Sequence, residues 1–224
     1  MEKYESIIKY LRENPRNELE LRFGKKVKNK FISGIKHSFF QEIHDDLITT
    51  DGILKNEYWH ETMDGFFDHK KKELRTRVSY PSETMFIEKE TIEKKKLSSI
   101  FAICDSSDFD FRISVSSEEK VSNENLPSIV NPKYVRLKHS KSFFIMKDNI
   151  KIWRIDLSKC WSSDSRTSVE EKQHTETPIY EVECELVDTD NYLKSHDDFH
   201  ILSSIMMKGL GIAGNPNLNY KFCK

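Results

Sequence analysis

The chain has 224 residues, a length that suits a single domain. Its 36 Lys and Arg residues nearly balance its 37 Asp and Glu residues, which excludes a polybasic nucleic-acid or membrane binder. Charged residues still make up 33% of the chain, against about 25% in an ordinary soluble domain. The informative question is therefore where the charges lie.

Targeting and redox signals are few. No apolar run is long enough for a transmembrane helix, and the N-terminus lacks the apolar core of a signal peptide. The four cysteines are widely spaced and form no C-x-x-C pair (Cys104, Cys160, Cys184 and Cys223). This spacing is typical neither of a zinc cluster nor of a disulfide framework, so we expect a reducing, intracellular compartment.

In chain order, the apolar periodicity begins with a helix and then changes to strands. Tyr4, Ile7, Ile8 and Leu11 are spaced as on one helical face, and Asn14-Pro15 ends the segment. From residue 17 the period is two, which predicts a strand that ends at Gly24. Four-residue steps predict a second helix over 35–48, whereas residues 52–69 give no clear pattern.

Strand patterns dominate beyond residue 70. We predict strands over residues 73–80, 85–97, 99–102, 108–116, 134–144, 151–158 and 179–187. Polar, turn-rich sequence at 123–132 and 162–178 predicts loops, and apolar spacing over 192–208 predicts a closing helix. The chain is therefore expected to be an α+β domain, a mostly antiparallel sheet with three helices.

Each strand carries its charges on one face, because alternate side chains of a strand point to opposite sides. Glu18, Glu20 and Arg22 share one face of the first strand, and Leu19, Leu21 and Phe23 share the other. The other strands repeat this pattern with the following charged or polar sets: Arg75, Arg77 and Ser79; Asp110, Arg112 and Ser114; Arg136, Lys138 and Ser140; Arg154, Asp156 and Ser158; Glu181, Glu183 and Glu185.

A solvated charged face is the ordinary explanation for such alternation in a half-exposed sheet. Two features argue against it here. Three glutamates on one face of one strand repel each other, and the charges segregate by sign, acidic on the terminal strands and basic on the central ones. A sheet closed into a barrel with its charged face inward explains both features. Such a lumen would bind a divalent cation together with a polyphosphate.

Six motifs in this order resemble the metal-dependent RNA 5′-triphosphatases of the triphosphate tunnel metalloenzyme family. They lie at residues 18–24, 92–97, 110–114, 135–138, 153–158 and 180–186, so the resemblance covers roughly residues 17–187. Within that family, length and composition look most like the N-terminal domain of a mimivirus-type giant-virus capping enzyme. The resemblance implies an eight-stranded antiparallel tunnel with flanking helices, which would be a single domain over 1–224 at the start of a longer capping enzyme.

The resemblance also implies roles for individual residues. Mn²⁺ or Mg²⁺ would be bound by Glu18, Glu20 and Glu183. Glu118, Glu181, Glu185 and Asp156 would serve the chemistry, with Glu118 orienting the attacking water. Phosphate would be bound by Arg77, Lys94, Arg112, Arg136, Lys138, Arg154 and Ser158. Two positions depart from the pattern: Ser140 occupies the third basic position of its strand, and either Lys94 or Lys95 could face the lumen.

The implied activity is removal of the γ-phosphate from nascent mRNA 5′ ends, with free nucleoside triphosphates as further substrates. The implied partners are 5′-triphosphate RNA and a guanylyltransferase domain on the same polypeptide, since no K-x-D-G signature occurs here. No membrane partner is expected; a monomer is compatible with the sequence, and the viral resemblance implies the host cytoplasm or the virion. Two alternatives stay open: a tunnel enzyme for inorganic or thiamine triphosphate, and a non-catalytic polyanion-binding barrel.

One further motif is set aside. Residues 209–214 spell G-x-G-x-x-G, but they follow a predicted helix instead of a strand and run into Asn215-Pro216. Dinucleotide binding needs that turn between a strand and a helix. We therefore interpret the segment as a helix C-terminus.

Overall fold

The computed structural model describes residues 2–56, 58–69, 72–80, 88–122, 132–215 and 218–223. The described helices are α1 (Glu2–Glu13), α2 (His37–Thr49), α3 (Arg166–Thr175), α4 (Thr189–Ser195) and α5 (Asp198–Ile212). The described strands are β1 (Glu18–Val27), β2 (Lys30–Ser33), β3 (Ile53–Lys55), β4 (His60–His69), β5 (Lys72–Tyr80), β6 (Glu88–Ile103), β7 (Asp110–Lys120), β8 (Tyr134–Lys147), β9 (Ile150–Ser163), β10 (Ile179–Leu186) and β11 (Lys221–Cys223).

Eight of these strands close into an antiparallel barrel, so the predicted α+β tunnel is confirmed. The order around the barrel is β1-β7-β6-β5-β4-β8-β9-β10, and β10 pairs with β1 again. The seam between β10 and β1 is short, with Glu20 opposite Glu185 and Arg22 opposite Glu183. The first and last barrel strands therefore meet where both carry glutamates.

The charged strand faces point into this barrel, and the apolar faces are buried outside it. Leu19, Leu21 and Phe23 of β1 are fully buried in a core that includes residues of α1, α2 and α5. Ile7, Ile8 and Leu11 form the buried face of α1, as predicted from their spacing. A second core lies under α3, where Val169 joins Met63, Val135, Leu137 and Trp161. The helices thus cover the apolar outer wall.

Several predicted boundaries are wrong in instructive ways. The expected loop at 162–178 contains α3, whose N-terminus is capped by Ser165, because its hydroxyl accepts a hydrogen bond from the Ser168 amide. The expected helix over 192–208 is two helices, α4 and α5. The two strands expected at 85–97 and 99–102 form one strand, β6, with a register shift between Lys96 and Ser98; residues 85–87 lie outside the described part. The described chain therefore has five helices instead of three.

The segment 52–69, which gave no clear pattern, forms β3 and β4. The helix C-terminus expected at the glycine motif is confirmed, since α5 ends at Ile212 and Gly214 has a positive φ of 63°. None of the described helices has the length and apolarity that crossing a membrane requires.

The barrel has two mouths, which we name for the site that follows. The hairpin mouth is the end where β4 turns into β5, where β8 begins at Tyr134 and where β1 ends at Val27. The far mouth is the opposite end, where β1 begins at Glu18 and β7 ends at Lys120. The barrel strands are staggered, so Phe66 of β4 is paired with Arg75 of β5, which contacts Glu118 near the end of β7.

Candidate active site

The first carboxylate of the lumen is that of Glu20, which is buried on β1. Arg22 donates to it through two parallel hydrogen bonds, Nε to Oε1 at 2.9 Å and Nη2 to Oε2 at 3.1 Å. The same Nη2 lies 2.7 Å from Oε1 of Glu183, and Lys138 Nζ donates to the other Glu183 oxygen at 3.3 Å. Arg22 therefore links the glutamates of the first and last strands.

Glu18 lies on the same face of β1 and is held by a lysine from β6. Lys94 Nζ is 2.6 Å from Glu18 Oε2 and 2.9 Å from Glu118 Oε1. Arg75 Nη2 contacts the same Glu118 oxygen at 3.3 Å. Lys95 is exposed. The structure thus settles the alternative left open by the sequence, because Lys94 is the lysine that faces the lumen.

Glu185 of β10 completes the acidic wall of the lumen, which consists of Glu18, Glu20, Glu183 and Glu185. It lies directly opposite Glu20 in the seam, and Arg154 Nη2 donates to its Oε2 at 2.6 Å. Arg154 Nε also donates to Asp156 at 3.0 Å, so this arginine is held by two carboxylates. Burial raises the pKa of Glu185 to about 7; Arg154 opposes the rise, and Glu18 and Glu20 add to it.

Glu18 is compensated by cations less completely than Glu20, since burial would raise the pKa of Glu20 but Arg22 lowers it. Burial also raises the pKa of Glu18, with further contributions from Glu118 and Glu20, although Lys94 opposes them. For Glu183 the direction is opposite: burial would raise its pKa, but Arg22 and Lys138 hold it well below the usual range. Glu183 is therefore neutralised by the protein, whereas Glu185 is neutralised less completely.

The acidic wall has the oxygen-only donors that Mg²⁺ and Mn²⁺ prefer. Within the described ranges, no three carboxylate, imidazole or thiol groups already converge at metal-binding distance. The reason is visible in the contacts, since Arg22 and Lys94 occupy oxygens of Glu20 and Glu18. The residues fit a divalent cation in chemistry, and the cation would replace ammonium and guanidinium contacts.

Asp64 is a lumen residue that the sequence analysis missed. It is fully buried on β4, and Arg77 donates to both of its oxygens, at 2.7 and 3.0 Å. Arg136 donates to Oδ2 at 3.0 Å. Burial would raise the pKa of Asp64, but the hydrogen bonds and charge of Arg77, together with Arg136, hold it well below its usual range. Asp64 thus orients two of the predicted phosphate-binding arginines.

The lumen arginines fall into two groups by the partners of their Nε atoms. In Arg22, Arg77 and Arg154, Nε donates to a carboxylate. Within the described part of the chain, the buried arginine Nε atoms that have no hydrogen-bond partner belong to Arg75, Arg112 and Arg136. A buried donor without a partner costs about 1–3 kcal/mol, so these three positions suit an anionic ligand. Arg75 was not among the predicted phosphate ligands.

Arg112 is placed by aromatic side chains near the hairpin mouth. Its guanidinium lies 5.1 Å from the centre of the Phe31 ring, which stacks on Phe101 at 5.9 Å. Phe31 reaches this position because Gly24 has no side chain: a Cβ there would lie 2.7 Å from the Phe31 ring and 2.3 Å from the carbonyl oxygen of Ile32. The glycine that ended the predicted strand is therefore needed for close approach.

The remaining predicted residues also lie in the lumen. Ser158 is buried and shares a hydrogen bond of 3.0 Å with Ser140, which fills the missing basic position. Asp156 accepts from Ser142 at 2.6 Å. Buried Glu181 lies 3.9 Å from Arg136 Nη1 and accepts from Cys160 Sγ at 3.5 Å. Burial, followed by Glu181, raises the pKa of Cys160 to about 12, which keeps this thiol protonated.

Comparisons with known proteins agree with this geometry. Residues 5–200 match the family described as mRNA capping enzyme, beta chain, whose members are mRNA triphosphatases. No curated protein matches the chain.

Solved structures of low sequence identity share the fold. The Pct1 RNA triphosphatase of S. pombe is 18% identical, with a TM-score of 0.66 over 94% of this chain and 90% of that one. The triphosphatase of the mimivirus capping enzyme is 15% identical, with a TM-score of 0.59 over 96% of this chain and 98% of that one. The family match covers most of the residues that build the lumen, and the chain therefore belongs to the beta-chain family of mRNA capping enzymes, the RNA 5′-triphosphatases.

Proposed function

We propose that this chain hydrolyses the γ-phosphate of 5′-triphosphate RNA as the first step of cap formation, with Mg²⁺ or Mn²⁺ bound to the carboxylates of β1 and β10. The observation that carries the proposal is a closed lumen in which Glu18, Glu20 and Glu183 face Lys94 and Lys138. Carboxylates and cations brought together from several strands into one lumen suit a metal-bound polyphosphate.

Glu18 and Glu20 would supply two oxygens to the cation, and β10 would supply the third. The sequence favours Glu183 for this role. The seam supports Glu185 instead, because Glu185 lies opposite Glu20 and is less completely neutralised, whereas Glu183 pairs with Arg22 and Lys138. A bound cation would polarise the γ-phosphoryl oxygens and offset the charge that spreads over them.

The phosphates would be bound by the basic wall of the lumen, which consists of Arg75, Arg112, Arg136, Lys94 and Lys138. The partly unpaired guanidinium groups of Arg75, Arg112 and Arg136 would donate to phosphoryl oxygens, and Lys94 and Lys138 would add point charges. Arg77 is better suited to holding Asp64, which accepts from its Nε and Nη2. Arg154 is better suited to holding Asp156, which accepts from its Nε, and Glu185, which accepts from its Nη2. All of these side chains come from rigid barrel strands, so little reorganisation is needed during the reaction.

Glu118 would orient the attacking water. It lies on β7 within 2.9 Å of Lys94 and 3.3 Å of Arg75, so it is held among phosphate-binding groups. The water oxygen would bond to the γ-phosphorus while the bond from that phosphorus to the bridging β–γ oxygen breaks. The products are a diphosphate-ended RNA and inorganic phosphate, and a lumen carboxylate takes the water proton.

Free nucleoside triphosphates, which share the reacting group, are proposed as further substrates. A guanylyltransferase would act next, on the same polypeptide or beside it; the mimivirus relative belongs to a trifunctional mRNA capping enzyme, and this organisation supports the idea. An intracellular location, in the host cytoplasm or the virion, is part of the proposal.

The test is release of labelled phosphate from γ-³²P triphosphate-ended RNA, with and without Mn²⁺ or Mg²⁺. We expect metal-dependent release by the wild type and at least 100-fold less by Glu20→Ala, as for loss of a group that binds charge in the transition state. Glu119→Ala, an exposed glutamate of β7, is the matched control. Release without metal, or an unaffected Glu20→Ala variant, contradicts the proposal. Faster turnover of inorganic or thiamine triphosphate than of RNA would favour the small-substrate alternative.

A further inference from the structure

Two aromatic rings stand at the hairpin mouth, outside the set of groups that we propose to bind phosphate. Phe66 of β4 and Tyr134 of β8 are paired in register, and their rings stack nearly parallel with centroids 4.4 Å apart and an interplanar angle of 8°. Tyr134 is the first residue of β8 and is 40% exposed. A large, flat ring on a rigid strand is therefore open to solvent beside the tunnel.

The stack is continuous with the basic wall. Phe66 lies two positions beyond Asp64 on the same strand face, and the Arg136 guanidinium is 5.6 Å from its ring centre. A cavity of about 360 Å³ is lined by Phe66, Arg75, Lys94 and Lys96 among others. Aromatic rings next to a row of cations are the combination that recognises nucleotides, because bases stack on rings and phosphates bind cations.

Cations lie between the stack and the carboxylates of the lumen. Arg75 is paired in register with Phe66 and contacts Glu118. Lys94 lines the same cavity as Phe66 and contacts both Glu18 and Glu118. A triphosphate that starts at the stack would therefore meet cations first and carboxylates beyond them.

We propose that the first base of the RNA stacks on the Phe66–Tyr134 pair, with the triphosphate extending past Arg136 and Lys96 toward Glu20. This inference rests on the proposed function. The stack distinguishes substrates that carry a base from those that do not, and it accepts any base because each has a flat aromatic face.

The experiment compares a triphosphate-ended dinucleotide, pppApG, with ribose 5-triphosphate, which has no base. Turnover gives kcat/KM for each, and calorimetry gives the two affinities independently of turnover. We expect the wild type to favour pppApG roughly tenfold or more, which is the size of one base–ring stack. Tyr134→Ala should reduce this preference to about one, and Tyr134→Phe should keep it. Tyr58→Ala is the control, since Tyr58 is 51% exposed.

The two proposals fail in different ways. If the wild type hydrolyses neither compound in Mn²⁺ or Mg²⁺, the proposed function fails, and the affinity ratio still tests the stack. If Tyr134→Ala keeps the wild-type preference, the stack is wrong while the activity stands. Equal losses for pppApG and ribose 5-triphosphate in Tyr134→Ala would also overturn the stack, because the ring would then act on the barrel instead of on the base. Loss of the preference in Tyr134→Phe would show that the hydroxyl, and not the ring, is recognised.

Discussion

Glu20 and Glu185 face each other across the seam that closes the barrel. Their strands are the first and last of the barrel in chain order, and the closest cation to each carboxylate is an arginine, Arg22 for Glu20 and Arg154 for Glu185. Two glutamates in register repel each other unless a cation lies between them. A divalent cation would therefore neutralise more negative charge at the seam than elsewhere in the lumen.

The first prediction separates the two candidates for the third cation ligand. Glu185→Gln should raise the Mn²⁺ concentration for half-maximal activity at least tenfold, because it removes an oxygen beside Glu20. Glu183→Gln should lower kcat with a smaller change in Mn²⁺ requirement, because it mainly releases Arg22 and Lys138. Activity titrated with Mn²⁺ measures both. The reverse pattern would assign the cation to Glu183, as the sequence favours.

The second prediction concerns Arg22. Arg22→Gln should lower the free energy of unfolding by about 3 kcal/mol, because buried Glu20 and Glu183 lose their shared partner. Urea unfolding followed by circular dichroism measures the change. Arg166→Gln, which breaks an exposed pair with Glu170 on α3, should cost less than about 1 kcal/mol. Similar losses for the two variants would show that the Arg22 contacts contribute little to stability.

The third prediction is a pH dependence of stability set by Asp64. Its pKa is lowered in the folded state relative to the ordinary value of 3.8, so the carboxylate stabilises the fold above that value. That contribution is lost as the pH falls below 3.8 toward the lowered folded pKa. Asp64→Asn should reduce stability at pH 7 and flatten the acid limb of the curve. Unfolding measured from pH 7 to pH 2 tests this, and a variant with the same acid limb as the wild type contradicts it.

The fourth prediction uses two glycines of opposite character. Gly24→Ala should lower the melting temperature, because its Cβ would lie 2.3 Å from the Ile32 carbonyl oxygen and 2.7 Å from the Phe31 ring. It should also raise KM for the RNA, since Phe31 positions Arg112. Gly211→Ala in α5 meets nothing within 4 Å and should stabilise by about 0.5–1 kcal/mol. Calorimetric scans measure the melting temperatures of both variants. An unchanged melting temperature of Gly24→Ala would contradict the close approach of Phe31 and Ile32 to Gly24.

The sequence was sufficient for the barrel and for most of its lumen, because strict alternation assigns each strand residue to a face. It was insufficient where alternation is interrupted. β4 was missed because Gly65 and Phe66 break the polar-apolar pattern, and Asp64 was missed with it. α3 was missed because Val169 is the one residue of that helix buried in the core, so the segment reads as polar.

The ion pairs between side chains of different strands could not be predicted from the sequence, for a different reason. Arg77, Arg136 and Arg154 look alike in their motifs, yet their partners depend on register and on the stagger of the barrel. Arg77 and Arg154 are occupied by carboxylates, while the Arg136 Nε stays without a partner. Only the assembled barrel separates arginines that support the lumen from those free to bind an anion.

The barrel has its charged face inside and its apolar face outside, and this arrangement decides which substitutions the protein tolerates. Each strand keeps its apolar side under the helices and its charged side toward the lumen, so folding and chemistry use alternate residues of the same segment. A scan of all substitutions along β1 should therefore oscillate with a period of two. Changes at Leu19, Leu21 and Phe23 should mainly reduce the amount of folded protein, and changes at Glu18 and Glu20 should reduce turnover more than the amount of folded protein. Abundance and turnover would then be tunable separately, one position apart.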